Sequence, residues 1–220
     1  MYDFIRGPLI PIAFVIFILG LILQLVQFFK LTKKREWGYP PLEVKSEKKT
    51  VGQWIAFCFA SLNGTLWKTD PAMTIMTSIF HVCLIVVPIF LLGHNILLDQ
   101  SWGISLWSLP EFIADVLTLV VLICVAFFLA RRLFLSRVRA ITTVTDYVIL
   151  LIAAAPFLTG YLAYHQWFNY DAAITLHILA GEVMLITIPF TKLGHMLFFF
   201  LYRFFIGSEY SFAKGARAWS

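Results

Sequence analysis

Histidine is the residue type best suited to chemistry in this sequence, because four of its five histidines lie in two long apolar stretches. His81 and His94 lie in one stretch, and His177 and His195 lie in the other. A neutral imidazole can bind a metal, and an ionisable side chain at membrane depth is costly unless it has a partner. A single such histidine could form a hydrogen bond between helices. Four in two stretches favour a metal-binding role.

The spacing of these histidines indicates the kind of metal site. If the two stretches are antiparallel membrane helices, His81 matches His195 in depth and His94 matches His177. Two imidazoles on facing helices can supply both axial ligands of one haem iron. His177 and His195 are eighteen residues apart. An unbroken helix would place them on one side, about 27 Å apart along its axis. The pattern predicts two haems, each held by two histidines.

The earlier stretch has a less regular spacing. Thirteen residues separate His81 from His94, which corresponds to roughly 220° around an ideal helix and places them on nearly opposite faces. Pro88 lies between them and removes one backbone hydrogen bond. We therefore expect a kink that brings both side chains toward the interior of the bundle.

The composition indicates what positions these side chains. The chain is 60% hydrophobic and 13% charged, with a mean hydropathy of +0.86, which is typical of an integral membrane protein. Each apolar segment can cross roughly 30 Å of hydrocarbon as a helix. The sequence predicts an all-α bundle that forms one domain over residues 1–220. Its five transmembrane helices cover residues 9–29, 73–98, 112–130, 143–164 and 172–205.

Basic residues indicate the orientation of this bundle. Positive charges follow the first and third segments, whereas residues 99–110 and 165–171 contain no Lys or Arg. Positively charged loops stay in the cytoplasm. This predicts an amino terminus outside and a carboxyl terminus inside, in a multi-pass protein of the cytoplasmic (inner) membrane. Residues 30–71 form a cytoplasmic or interfacial insert that suits a partner or the lipid surface. The net charge of +5 thus reflects topology and not nucleic-acid binding.

Three stretches resemble the gamma subunit of respiratory nitrate reductase and related membrane cytochromes b. They are residues 79–94 (IFHVCLIVVPIFLLGH), 131–146 (RRLFLSRVRAITTVTD) and 176–195 (LHILAGEVMLITIPFTKLGH). The resemblance implies two b haems, with His81 and His195 binding the cytoplasmic-side haem and His94 and His177 the outer one. It also implies exchange of electrons with menaquinone or another quinone.

Two departures from that subunit are evident. Its helix-two histidines are closer by nearly a turn, and a lysine near its outer haem, which helps to bind quinol, has no counterpart in residues 99–110 or in the third segment here. The insert at residues 30–71 is longer and is more similar to cytochromes b that pair with a heterodisulfide-reductase-like iron–sulfur protein. This similarity implies an iron–sulfur partner subunit on the cytoplasmic side.

Further residues are candidates for binding the cofactor or the quinone. Gly93 and Gly181 are small enough for a porphyrin to approach the backbone. Arginine pairs with carboxylates such as haem propionates, but also marks a cytoplasmic loop. The arginines concerned are Arg131, Arg132 and Arg139. Glu111 and Asp115 could accept protons from a quinol, or could be helix N-terminal acids. For His165, an exposed polar cap and a quinone hydrogen bond both remain open.

These observations favour a di-haem cytochrome b subunit of a membrane redox complex in anaerobic respiration. Its three cysteines form neither a CxxC pair nor a CxxCH motif, so iron–sulfur chemistry would belong to partner subunits. Whether the chain counts as an enzyme by itself stays open. The alternative is a haem-free membrane transporter or assembly scaffold that uses the histidines for protons or metal.

Overall fold

The structure is a computed structural model that describes residues 4–31 and 70–195, together with Gly52, Phe198 and Leu201. Within these residues the chain is all-helical, as the sequence predicts. A π-helical turn, Ile5–Leu9, leads into the first helix. The helices are α1 (Ile10–Leu31), α2 (Pro71–Phe90), α3 (Leu92–Trp102), α4 (Glu111–Phe134), α5 (Ser136–Arg139), α6 (Val144–Tyr164) and α7 (Tyr170–Thr187).

Five helices are long and apolar enough to cross a membrane, which confirms the predicted number for the described part of the chain. These spans are Gly7–Lys30, Pro71–Phe90, Glu111–Phe134, Val144–Tyr164 and Tyr170–Phe190. Most of the predicted insert at residues 30–71 lies outside the described residues. The same holds for most of the predicted fifth helix beyond His195.

The second predicted helix, residues 73–98, is interrupted instead of continuous. It ends at Phe90, Leu91 is extended (φ −70°, ψ 129°), and α3 begins at Leu92. The break frees backbone carbonyls that need other donors. The His94 ring donates to the Pro88 carbonyl at 2.8 Å, and the Leu109 amide donates to the Phe90 carbonyl at 2.8 Å. The expected kink at Pro88 is therefore a full break three residues later.

The last predicted helix, residues 172–205, is also interrupted, contrary to the expectation of one long helix. α7 ends at Thr187, and two 3-10 turns follow, Ile188–Phe190 and Lys192–Gly194. Pro189 has no amide hydrogen to donate to the preceding turn, which favours an end of the regular helix here. The expectation that His177 and His195 are joined by five unbroken helical turns is therefore wrong.

Helix α1 holds this interruption in place. Gln24 donates from its side-chain amide to the Pro189 carbonyl at 3.0 Å. A Cβ atom at Gly20 would lie 2.6 Å from Cγ of Pro189, so only glycine lets the proline ring approach this closely. The irregular backbone at membrane depth is thereby covered by protein, as an apolar surrounding requires.

The helices pack in a row. α2 lies against α4, α4 against α6, α6 against α7, and α7 against α1. A buried cluster joins the first three of these helices and contains both described cysteines as small apolar side chains. Its members are Phe80, Cys83, Val87, Val121, Cys124, Phe128 and Phe157. Among the described residues, α2 and α7 themselves make few direct contacts.

Ion pairs fasten one end of this row. Asp70 caps α2 by accepting from the Met73 amide at 3.1 Å, and it accepts from Arg131 of α4 at 2.7 Å. The Met73 amide, assisted by Arg131, holds the pKa of Asp70 below its usual range. Lys192 donates to Asp146 at the start of α6 at 2.7 Å. This end carries the positive charges that predict a cytoplasmic location.

The loop charges give a testable topology. A reporter fused after Ser220 should be cytoplasmic, and one inserted near Gln100 should be outside, because the arginine-rich end of the row stays in the cytoplasm. Paired alkaline phosphatase and fluorescent-protein fusions measure both positions. A cytoplasmic Gln100 would contradict the orientation.

Candidate functional site

Two pairs of histidine rings meet, and they are the pairs predicted from matched depth. The ring centres of His81 and His195 lie 5.7 Å apart with an interplanar angle of 81°. Those of His94 and His177 lie 5.9 Å apart with an angle of 17°. The first pair is near the Asp70 end of the bundle, and the second is near the loop that follows α3.

All four rings use the same nitrogen for hydrogen bonding. Each Nδ1 lies 2.6–2.9 Å from a backbone carbonyl oxygen, which can only accept, so the proton is on Nδ1. The acceptors are Thr77 for His81, Pro88 for His94, Pro156 for His177 and Lys192 for His195. No described residue hydrogen-bonds to any of the four Nε2 atoms, so each keeps its lone pair for a metal.

The distance within each pair suits an iron between the rings. Since an imidazole nitrogen binds a first-row metal at about 2 Å and lies roughly 1 Å from its ring centre, two axial imidazoles have centres about 6 Å apart. The observed distances are 5.7 and 5.9 Å. The interplanar angle is free because a ring can turn about its bond to the iron. Both pairs therefore fit axial ligation of haem.

The pairs bridge helices that do not otherwise pack closely. Among the described residues, α2 and α3 make no extensive contact with α7. His94 of α3 nevertheless meets His177 of α7, and His81 of α2 meets His195, which follows the second 3-10 turn. A flat macrocycle needs such a gap, because two helices in direct contact leave no room for a porphyrin. The arrangement is thus compatible with a cofactor at each of these two levels.

Gly160 of α6 is a site residue that the sequence analysis missed. A Cβ at this position would lie 2.9 Å from both Cε1 and Nδ1 of His177. One turn earlier, the Pro156 carbonyl accepts from the same ring at 2.9 Å. The backbone of α6 therefore contacts His177 at two positions one turn apart. In the sequence, the four-residue interval between Pro156 and Gly160 is the one signal that could have indicated these contacts.

The residues expected to surround the cofactor have varied positions. A Cβ at Gly93 or Gly181 would meet no atom within 4 Å, so the space beside both is open. Arg131 is paired with Asp70, and Arg132 donates to the Phe128 carbonyl at 3.2 Å. Arg139 ends the short helix α5. Contact of any of these five residues with haem stays a prediction.

The residues expected to react with quinone lie at the opposite end from Asp70. Asp115 accepts from His165 Nε2 at 2.9 Å, and Glu111 accepts from the Tyr164 hydroxyl at 3.2 Å. Both acids are in the first turns of α4, and their partners end or follow α6. His165 is therefore paired with Asp115, not merely an exposed cap.

Glu182 is a buried acid in α7 between the two histidine levels. It is 4% exposed, and neither carboxylate oxygen has a hydrogen-bond partner among the described residues. An ionised carboxylate without a partner would be strongly unfavourable in this setting. Glu182 is a candidate for binding a proton within the bundle.

Comparison with known proteins identifies a relative of nearly the same length. No family model matches the chain. A protein of Nitratidesulfovibrio vulgaris (strain Hildenborough) is 34% identical over 220 residues, which cover 98% of this chain and 96% of the relative. The name of that protein states no activity.

The contact of Gly160 with His177 predicts a selective effect. Gly160→Ala should displace the His177 ring and weaken one metal site, because the new methyl group would meet it at 2.9 Å and overpacking costs about 1–3 kcal/mol. If each histidine pair holds one haem, the absorbance of the purified variant should show about half the wild-type haem content. Gly7→Ala is the matched control, since its Cβ meets no atom within 4 Å. Equal haem content in both variants would contradict the prediction.

Proposed function

The chain belongs to the same family as the Nitratidesulfovibrio vulgaris protein, with 34% identity over 98% of its length, and we propose that it is a di-haem cytochrome b. It would serve as the membrane subunit of a redox complex in the cytoplasmic membrane. In that role it passes electrons between menaquinone or another quinone and its partner subunits. The support comes from the two histidine pairs, from their geometry and from the five apolar helices.

The main support for the proposal is the tautomer that the four histidines share. Four rings from distant parts of the sequence all donate from Nδ1 to a backbone carbonyl. Such a bond fixes the orientation and the tautomer of a metal-binding histidine and raises the basicity of the other nitrogen. Histidines that only joined helices would have no reason to leave the same nitrogen free in every case.

Two axial ligands at each level favour haem over a bare metal ion. Zinc and similar ions need three or four protein ligands, and the described residues contain no group of three or more His, Cys, Asp or Glu that could hold one. Haem needs only two, because the porphyrin supplies the other four. When bound, haem supplies reversible one-electron transfer at a potential set by its ligands and surroundings.

The histidines of the chain would position each group. His81 and His195 would hold one haem near the Asp70 end, and His94 and His177 would hold the other near the opposite end. Two levels divide the crossing of the low-dielectric layer into shorter electron-transfer steps. Glu111 and Asp115 at the far end are the proposed contacts for quinone.

Partner subunits follow from what the chain lacks. Within the described residues, the two cysteines lie in one apolar cluster, and two thiols are fewer than the four ligands that an iron–sulfur cluster takes. An iron–sulfur protein on the cytoplasmic side is therefore the proposed electron partner. Its proposed docking segment, residues 30–71, lies largely outside the described residues.

The competing function is a haem-free transporter or assembly scaffold. A transporter that relayed protons through these histidines would need both ring nitrogens to take part in changing contacts. Here each Nδ1 is committed to a carbonyl next to a helix break, a proline or a helical turn. The geometry gives more support to the cytochrome.

Replacement of single ligands tests the assignment. His81→Ala and His195→Ala should each remove one and the same haem, and His94→Ala and His177→Ala should remove the other, because each iron loses an axial bond. Difference spectra and redox titration of the purified variants identify which haem is lost. His165→Ala is the matched control and should keep both. A wild-type protein without a reducible b-type spectrum would rule out the function.

A further inference from the structure

A half-buried polar group among aromatic rings lies at the end of the bundle opposite Asp70. We define the Asp115–His165 cluster as Asp115, Tyr161, His165 and Trp167. His165 Nε2 lies 2.9 Å from Asp115 Oδ1, and their side chains are 28% and 24% exposed. The Tyr161 and Trp167 ring centres lie 4.3 and 5.8 Å from that of His165. Trp167 is 63% exposed, so the cluster is reachable from outside the protein.

In His165 the ring hydrogen is on Nε2, whereas in the other four histidines it is on Nδ1. His165 Nε2 faces a carboxylate, which accepts and does not donate when ionised, so Nε2 carries the proton. Nδ1 therefore has a lone pair, and no described residue hydrogen-bonds to it. A base whose other nitrogen is held by a carboxylate is the arrangement that general-base catalysis uses.

The backbone that presents this histidine is strained. Gln166, the next residue, has φ of +53° and is the one non-glycine residue with positive φ in the described part of the chain. This turn places Trp167 beside both Tyr161 and His165. Backbone strain of this kind persists where surrounding structure enforces it, and it is concentrated at functional sites.

The cluster is close to one of the histidine pairs. Gly160 contacts the His177 ring, and His165 lies five residues further along α6. At about 1.5 Å per residue this is roughly 7.5 Å along the helix axis. A molecule bound at His165 would thus lie within a short electron-transfer distance of the His94–His177 level.

We propose that the Asp115–His165 cluster binds a quinol and takes up its protons, an inference that rests on the proposed function. The quinol ring would lie against Tyr161 and Trp167, and one hydroxyl would donate to Nδ1 of His165. Its oxidation to the quinone releases two protons and two electrons. The electrons would leave one at a time to the haem that His94 and His177 are proposed to hold. Each proton passes to His165, whose imidazolium Asp115 stabilises, and from there to the aqueous side.

The alternative is that the cluster only tethers α4 to α6. A tether needs a donor to Asp115 but no base, so the two roles respond differently to substitution. His165→Gln keeps an N–H donor within reach of Asp115 and removes the imidazole. A tether would tolerate this change without loss of quinol chemistry, whereas a proton acceptor would not.

The test uses the full-length protein purified with its haems. Menadiol should reduce the haem of His165→Gln at least about tenfold more slowly than that of the wild type, because positioned proton transfer contributes roughly 10²–10⁴ in rate. Reduction by dithionite, which needs no proton acceptor, should be unchanged. Asp171→Asn, an exposed acid at the same end in α7, is the control and should react at the wild-type rate. Reduction of His165→Gln by menadiol at that rate would overturn the inference.

A binding measurement separates this inference from the proposed function. Heptyl-hydroxyquinoline N-oxide, a fluorescent quinol analogue, should bind His165→Gln and Asp115→Asn at least about tenfold more weakly than the wild type, since the loss of a buried polar partner has effects of this size. This readout needs no haem. Unchanged affinity would overturn the quinol site even in a protein with two haems. Weakened affinity in a protein without haem would support the site while the cytochrome assignment fails.

Discussion

The hydrogen bonds from imidazole Nδ1 to backbone carbonyls are the interactions on which the rest of the site depends. They hold four rings in one tautomer and leave four equivalent nitrogens free. Two of the four acceptors lie at irregular backbone: the Pro88 carbonyl is freed by the break at Leu91, and the Lys192 carbonyl lies in a 3-10 turn after α7. The acceptors of His81 and His177, by contrast, lie inside the regular helices α2 and α6. One histidine of each pair therefore depends on an interruption of a helix.

Helix α2 and helix α3 illustrate this dependence. Leu91 is extended, so the Pro88 carbonyl becomes an acceptor for His94. The same break changes the direction of the chain between His81 and His94, which resolves the roughly 220° separation on an ideal helix. The loop after α3 stabilises the break, because the Leu109 amide donates a hydrogen bond to the Phe90 carbonyl. Asn95 further fastens this loop by donating to Ser108 at 2.8 Å.

The number of spans and the histidine pairs could be predicted from the sequence. The spans follow from the length of the apolar segments, and the pairs follow from the depth of each histidine within its span. Depth matching needs only the direction of each span, so His81 and His195 could be paired without knowledge of the breaks. The interruptions at Leu91 and Thr187 were harder to predict, since a membrane helix tolerates proline when neighbours satisfy the freed groups. Those neighbours, such as Gln24 beside Pro189, are set by tertiary packing. The contact between Gly160 and His177 was missed for the same reason.

The pairing of distant histidines has a consequence for biogenesis. Each pair joins the early segment α2–α3 to the segment from α7 to His195, since His94 meets His177 and His81 meets His195. Domains and their parts become available in order from the amino terminus during synthesis. Neither site can be complete while the first four spans alone are in the membrane, and the His94–His177 site becomes complete before its neighbour. The two proposed haems would therefore be acquired late and in a fixed order, after the segment from α7 to His195 has been inserted.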